Sequence, residues 1–182
     1  MDQKIQDQYQ YFVAQKIILH DPSRKTLALL LLEKSRHNFI VAQHLKELSQ
    51  NSKLKTEARL PTSFIAYDWV INAAYYSMYM AAQGVLAQIN IKCENHTATP
   101  TALEFHFVLQ QKLELKYVEQ LREHQNIIIQ KDIIFLRDAK SQREMAQYSV
   151  LSSIQKEQAI TLINVASRFI ERMEQLSEVI SK

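Results

Sequence analysis

Cys93, His96, Glu104 and His106 carry the donor types of a zinc site, in the pattern Cys93-x-x-His96 followed by Glu104-x-His106. A closed zinc site needs four convergent ligands, and this stretch offers no second close cysteine or histidine pair. His37 and His44 stand seven residues apart, on one side of a helix but two turns from each other, too far to share an ion. The Glu-x-x-His pairs that hold metals in helical bundles do not occur. No metal and no cofactor is therefore expected, and the four residues read as polar groups of a loop around a half-buried thiol. Nucleophilic catalysis fares no better, because serines and histidines are scattered without a nucleophile elbow. Cys93 is the only cysteine, which excludes an internal disulfide. Tyr75, Tyr76 and Tyr79 could stack on bases, but tyrosine and methionine at helical spacing are assigned first to a core.

The elements that must carry these residues follow from glycine and proline. Among 182 residues there is one glycine and there are three prolines. Sheet proteins need turn residues every few positions, and phosphate-binding α/β folds need glycine where backbone approaches a ligand. Gly84 alone supplies neither a P-loop nor a GxGxxG turn. The expected class is all-α, an antiparallel bundle of four to five long helices. A chain of this length, 47% hydrophobic, should bury roughly 68–70% of its extended surface without a staple.

Residues 1–22 read as an N-terminal extension holding a short, loosely attached helix over 3–19, and 23–182 as the bundle. Asp21-Pro22-Ser23 starts a helix that runs to about Ser49, with Leu27, Leu30, Leu31, Ile40, Val41, Leu45 and Leu48 as its apolar side chains. The polar stretch 50–60 reads as a loop. Pro61-Thr62-Ser63 restarts a helix to about Ile89 that is apolar nearly all round, so it should be the central member with partners on every side. After a loop over 90–99, Thr101-x-x-Glu104 reads as a capping box behind Pro100. A long or kinked helix then runs to about Gln147, and Ser152-x-x-Gln155 caps the last helix.

Charge agrees with this layout. Residues 61–110 contain only Lys92, Asp68, Glu94 and Glu104 as charged side chains, which marks them as the buried centre. The net charge of +3 is mildly basic and is no nucleic-acid footprint in itself. The polar first residues do not resemble a secretory signal, and the longest apolar run, 27–32, falls far short of the ~20 residues that cross a bilayer. A cytoplasmic protein without membrane contact is expected.

Three segments carry a family resemblance. Asp68-Trp-Val-Ile-Asn-Ala-Ala-Tyr-Tyr-Ser-Met-Tyr-Met-Ala-Ala-Gln-Gly-Val-Leu86 resembles the "AYYAMFHAARALL" helix of HEPN-domain proteins. Glu94-Asn-His96-Thr97 stands where that family often carries a "THSG"-like turn, before a short helix that here ends Ala102-Leu-Glu-Phe-His-Phe-Val108. Leu136-Arg-Asp-Ala-Lys-Ser-Gln-Arg143-Glu-Met-Ala-Gln147-Tyr148 is similar to the "LRQ..R..ADY" end of the penultimate helix. The likeness covers roughly residues 24–180 and points to a subfamily with the R..ADY-like ending and no RNase histidine.

The resemblance implies an RNA- or nucleotide-associated helical module, a homodimer, and the partner of a nucleotidyltransferase in a toxin–antitoxin or defence system. Many relatives are metal-independent ribonucleases that use Arg-x(4–6)-His, the histidine moving protons and the arginine steadying phosphate. None of the eight arginines here has that spacing; Arg36 and His44, with seven residues between, come nearest. After Arg143 the expected histidine position holds Tyr148. A phenol with an ordinary pKa near 10 is a poor base at neutral pH, against about 6.5 for imidazole. The resemblance thus implies Arg143, Tyr148, Gln147 and His96 as nucleotide- or RNA-binding residues and a module that has lost catalysis. Two alternatives stand beside it: a non-enzymatic protein-interaction bundle, and a divergent ribonuclease that recruits His96, His106 or His124.

Overall fold

The computed structural model describes residues 2–138 and 148–181, with side chains described over 3–127 and 155–181. Four long helices dominate: α2 (Ala28–Gln50), α4 (Tyr67–Gln88), α6 (Leu115–Asp138) and α7 (Tyr148–Ile180), alongside shorter α1 (Asp2–Ala14), α3 (Ser52–Glu57) and α5 (Ala98–Leu103). The expected helical bundle is the fold, with α4 packed against α2 and α7.

How α2 meets α4 explains the solitary glycine. The face that α2 buries is Ala28, Leu32, Ser35, Ala42 and Ser49, four of the five being small residues at sevenfold spacing. Opposite them α4 offers Ala74, Ser77, Ala81 and Gly84. With so little side chain between them the backbones come close, and Ser35 Oγ donates to the Ser77 carbonyl at 2.7 Å. A Cβ on Gly84 would lie 2.8 Å from Leu32 Cγ. The apolar pattern misassigned this face. Leu27, Leu30, Ile40 and Val41, expected in the core, lie on the solvent side together with Leu29, while Leu31, Leu45 and Leu48 are half-buried. Small residues won because they let the helices approach, which a count of large apolar side chains does not register.

Since Gly84 serves packing, the turns use other residues. Lys16, Arg59, Asn90 and Gln111 all adopt positive φ, between 55° and 63°, at helix ends. Asn tolerates this region well; the other three hold it against a cost of about 1–2 kcal/mol each.

Several element boundaries differ from the sequence reading. Stretch 50–60 contains α3, started by Asn51, whose side chain accepts from the Lys53 and Leu54 amides. α4 begins at Tyr67 rather than at Pro61, since the preceding segment is tied back: Ser49 Oγ accepts from the Ala66 amide and Lys55 Nζ donates to the Thr62 carbonyl. The N-terminal segment is no loose helix. Ile5 and Tyr9 of α1 are buried, and the chain continues as strand β1 (Ile18–His20) paired antiparallel with β2 (Ile91–Cys93), with Leu19 opposite Lys92. This three-residue ribbon is the one β-element among the described residues, and it replaces the tail of one expected helix and part of one expected loop. Ser152 lies inside α7, so it cannot cap it. Along α7 the buried set Ala159, Leu162, Ile163, Ala166, Phe169, Ile170, Met173 and Leu176 keeps the alternating three- and four-residue step of a helix packed on one side. Among the described residues no helix is long and apolar enough to cross a membrane.

Candidate functional site

The polar and aromatic groups converge where the first half of α4 meets the turn before α5. Tyr75 and Tyr79 lie one turn apart on α4, and His96 enters from the turn. Asn95 fixes that turn by accepting from the Ala98 amide at 2.9 Å and from Thr97 Oγ1. The α5 start is therefore capped by Asn95, not by Thr101, and Glu104 does not reach back to complete a capping box. It extends instead to Arg122 of α6 in a 2.6 Å ion pair.

Held this way, the His96 ring stacks on Tyr79 with centroids 4.0 Å apart, and its Nδ1 shares a 2.7 Å hydrogen bond with the Tyr75 hydroxyl. Tyr76 meets His96 edge-on at 5.7 Å. Burial pushes the Tyr75 phenol well above its ordinary range and holds the His96 imidazole below its own. The pair is thus a protonated phenol and a neutral imidazole. Beneath, Gln83 Nε2 donates to Thr99 Oγ1 at 2.8 Å and to the Tyr79 hydroxyl at 3.2 Å, anchoring the stack from below. Buried Gln83 and Thr99 carry no sequence signal of their own; only their approach across two helices reveals them.

The Cys93 thiol meets the Thr99 hydroxyl beneath the stack, whereas His106 pairs elsewhere. Burial raises the Cys93 thiol to about 12, which keeps it protonated and unsuited as a thiolate. His106 sits in the π-helical turn Glu104–Val108 that extends α5, and its Nε2 shares a 2.9 Å hydrogen bond with the Tyr9 hydroxyl. Tyr9 also stacks on Phe105 at 3.9 Å, so this second histidine–tyrosine pair docks α1. Among the described residues no three His, Cys, Asp or Glu side chains come together to hold a metal ion. A groove of about 570 Å³ beside Arg122 is lined by Lys4, Glu104 and Glu119 among others, and its charges balance.

Of the four residues implied by resemblance, His96 is the one whose surroundings are described. Arg143 and Gln147 lie outside the described residues; Tyr148 is the first residue of α7, its side chain likewise outside. Tyr75 and Tyr79 belong to the interior as expected, whereas Tyr76 remains 41% exposed and Trp69, two turns before it, 63%. The first half of the central helix is thus not surrounded on every side.

The fold is thus a helical bundle with a small-residue α2–α4 contact and a histidine pinned by tyrosines of the central helix. The family model for the HEPN domain matches residues 28–176, and the chain belongs to that family, whose helical domain is associated with RNA or nucleotides. No curated protein and no solved structure matches the chain.

Proposed function

We propose that this protein is a non-cleaving, RNA- or nucleotide-binding HEPN module that works as a homodimer beside a nucleotidyltransferase in a toxin–antitoxin or defence system. In this reading Arg143 of each protomer faces a shared groove and binds phosphate, with Gln147, Tyr148 and His96 at its margins. The observation that carries it is the Arg143-x4-Tyr148 spacing, which keeps the family's phosphate-binding arginine and replaces its proton-transferring histidine by a phenol.

Each of the three histidines weighed for catalysis has one ring nitrogen engaged. His96 is tied to Tyr75, His106 to Tyr9, and His124 Nδ1 to the Gln120 carbonyl of its own helix. A divergent ribonuclease would have to work through the second ring nitrogen of one of them. The reading as a protein-interaction bundle draws on a different observation, the apolar outer side of α2 formed by Leu29, Leu30, Ile40 and Val41.

Titration with single-stranded RNA and with nucleoside triphosphates, alongside a cleavage assay, tests the proposal. Binding without cleavage is expected, and Arg143→Ala should weaken it by about tenfold or more, the worth of one charge-assisted phosphate contact. Unchanged binding in Arg143→Ala, or turnover by the unaltered chain, would overturn it.

A further inference from the structure

The outer side of α2 repeats itself in reverse. Leu29, Leu30, Glu33, His37, Ile40 and Val41 are all exposed, the four aliphatic residues by 48–76%. At about 100° per residue the six fall within about 120° of the helix circumference, centred opposite Ser35. Ser35 is buried against α4, its Oγ donating to the Ser77 carbonyl, so the stripe points directly away from the bundle. In both directions from Ser35 a polar side chain stands two positions away, Glu33 on one side and His37 on the other. Aliphatic side chains stand five and six positions away, Leu30 and Leu29 on one side, Ile40 and Val41 on the other.

This symmetry selects the partner. A two-fold contact sets one surface against a copy of itself, so that residue i meets j where j meets i. Laid antiparallel with the two-fold axis at Ser35, two α2 helices bring Leu29 and Leu30 of each against Ile40 and Val41 of the other. Glu33 of each then meets His37 of the other, so carboxylate faces imidazole twice. In a parallel pairing every side chain would meet its own copy, and Glu33 would face Glu33, a like-charge contact. An amphipathic helix of another protein would also find four aliphatic side chains here, but such a contact has no use for the reversed repeat. The cations at the two edges do not oppose the pairing: Arg36 is held by Glu174 of α7 at 2.6 Å, and Lys34 stands exposed on the opposite edge.

We infer that the outer side of α2 is the contact between two copies of this chain, antiparallel across a two-fold axis at Ser35. The inference rests on the homodimer of the proposed function and assigns its contact; the Arg143 groove is tested apart from it, by RNA binding. About 18 Å of helix separates Leu29 from Val41. So short a contact lies at the small end of interface sizes, and a micromolar dimer is expected.

Sedimentation of the intact chain from about 1 to 200 μM should show a reversible dimer. Leu30→Asp should weaken it by about a hundredfold or more, because the two-fold counts the substitution twice. Glu33→Lys should weaken it too, and Glu33→Lys together with His37→Glu should restore it. Melting curves verify that each variant is folded. Orientation is read by disulfide capture, since Cys93, the only cysteine, is buried. Chains carrying Leu30→Cys, mixed with chains carrying Val41→Cys, should link on mild oxidation, and neither should link alone. This capture decides the matter even where Leu30→Asp fails to fold. Self-linking of the Leu30→Cys chain, or no linking in the mixture, overturns the inference, as does a double charge variant no better than Glu33→Lys. A dimer indifferent to Leu30→Asp overturns it as well, and the homodimer then survives with a different contact. A chain that stays monomeric at every concentration removes both.

Discussion

The two halves of α4 are both largely apolar and end in opposite environments. From Ala81 to Ala87 every residue is buried, and the helix is pressed against α2 so closely that glycine is required at position 84. Between Tyr67 and Met80 one side is open at Trp69 and Tyr76, and Tyr75, Tyr76 and Tyr79 pack around a histidine from outside the helix. Hydrophobicity is high through both halves, so it cannot be what separates them. What differs is side-chain size: small residues bring a neighbouring backbone into contact, whereas large rings hold neighbours away and leave a surface with relief. The closed half is where α4 lies against α2, and the open half is where α4 presents Trp69 and Tyr76 to solvent.

Breaking the closed half should have the largest effect. Gly84→Val places a branched side chain where even a Cβ meets Leu32 Cγ at 2.8 Å and the Ala28 carbonyl oxygen at 3.3 Å. A loss of about 2–3 kcal/mol in urea unfolding is expected from this overpacking. Trp69→Ala on the open half should stay within about 0.5 kcal/mol of the parent. Equal losses at the two positions would erase the contrast.

A middling effect is expected from the hydrogen bonds of the two histidine–tyrosine pairs. Tyr75→Phe removes the partner of His96 inside the site, and Tyr9→Phe removes that of His106 under α1. Each should cost about 1–2 kcal/mol, because a half-buried imidazole nitrogen loses its partner. The two should differ in where the structure loosens. Tyr75→Phe is expected to free the His96 turn and raise amide exchange at 94–97, Tyr9→Phe to raise it across α1. Exchange spreading equally over both regions would mean that the pairs act as one unit.

The smallest effect is one of pH. Burial holds both His96 and His106 below the ordinary imidazole range, so on acidification the unfolded chain takes up protons first. Their contribution is complete above the ordinary pKa near 6.5 and is lost as pH falls from there towards the lowered folded values. The melting temperature should accordingly decline between pH 7.5 and 5, and His106→Gln should flatten that decline. An unaltered slope would show that His106 is not what titrates.

Much of this was legible in residue types. One glycine and three prolines pointed away from a sheet fold and from phosphate loops, the charge-poor block at 61–110 marked the centre, and the Tyr-Tyr pair of α4 together with the Arg143 segment pointed to the family. Other features were not. The buried face of α2 was concealed because Ala28, Ser35, Ala42 and Ser49 are only weakly apolar, and their burial depends on what α4 presents to them. The β1–β2 ribbon joins residues more than seventy positions apart, and neither segment has strand character by itself. His96 was singled out for the turn it occupies, but its stack on Tyr79 and its bond to Tyr75 could not be derived from spacing.

By itself, then, the order of amino acids determined that the chain is helical, roughly where the long helices run, and which of them is central. These features come from local backbone preference and from periodicity along one segment. Tertiary structure alone decided which face of α2 is buried, which aromatic rings of α4 remain open to solvent, and which histidine meets which tyrosine. Each of those outcomes depends on the distance between two backbones, and that distance is set by the side chains of both.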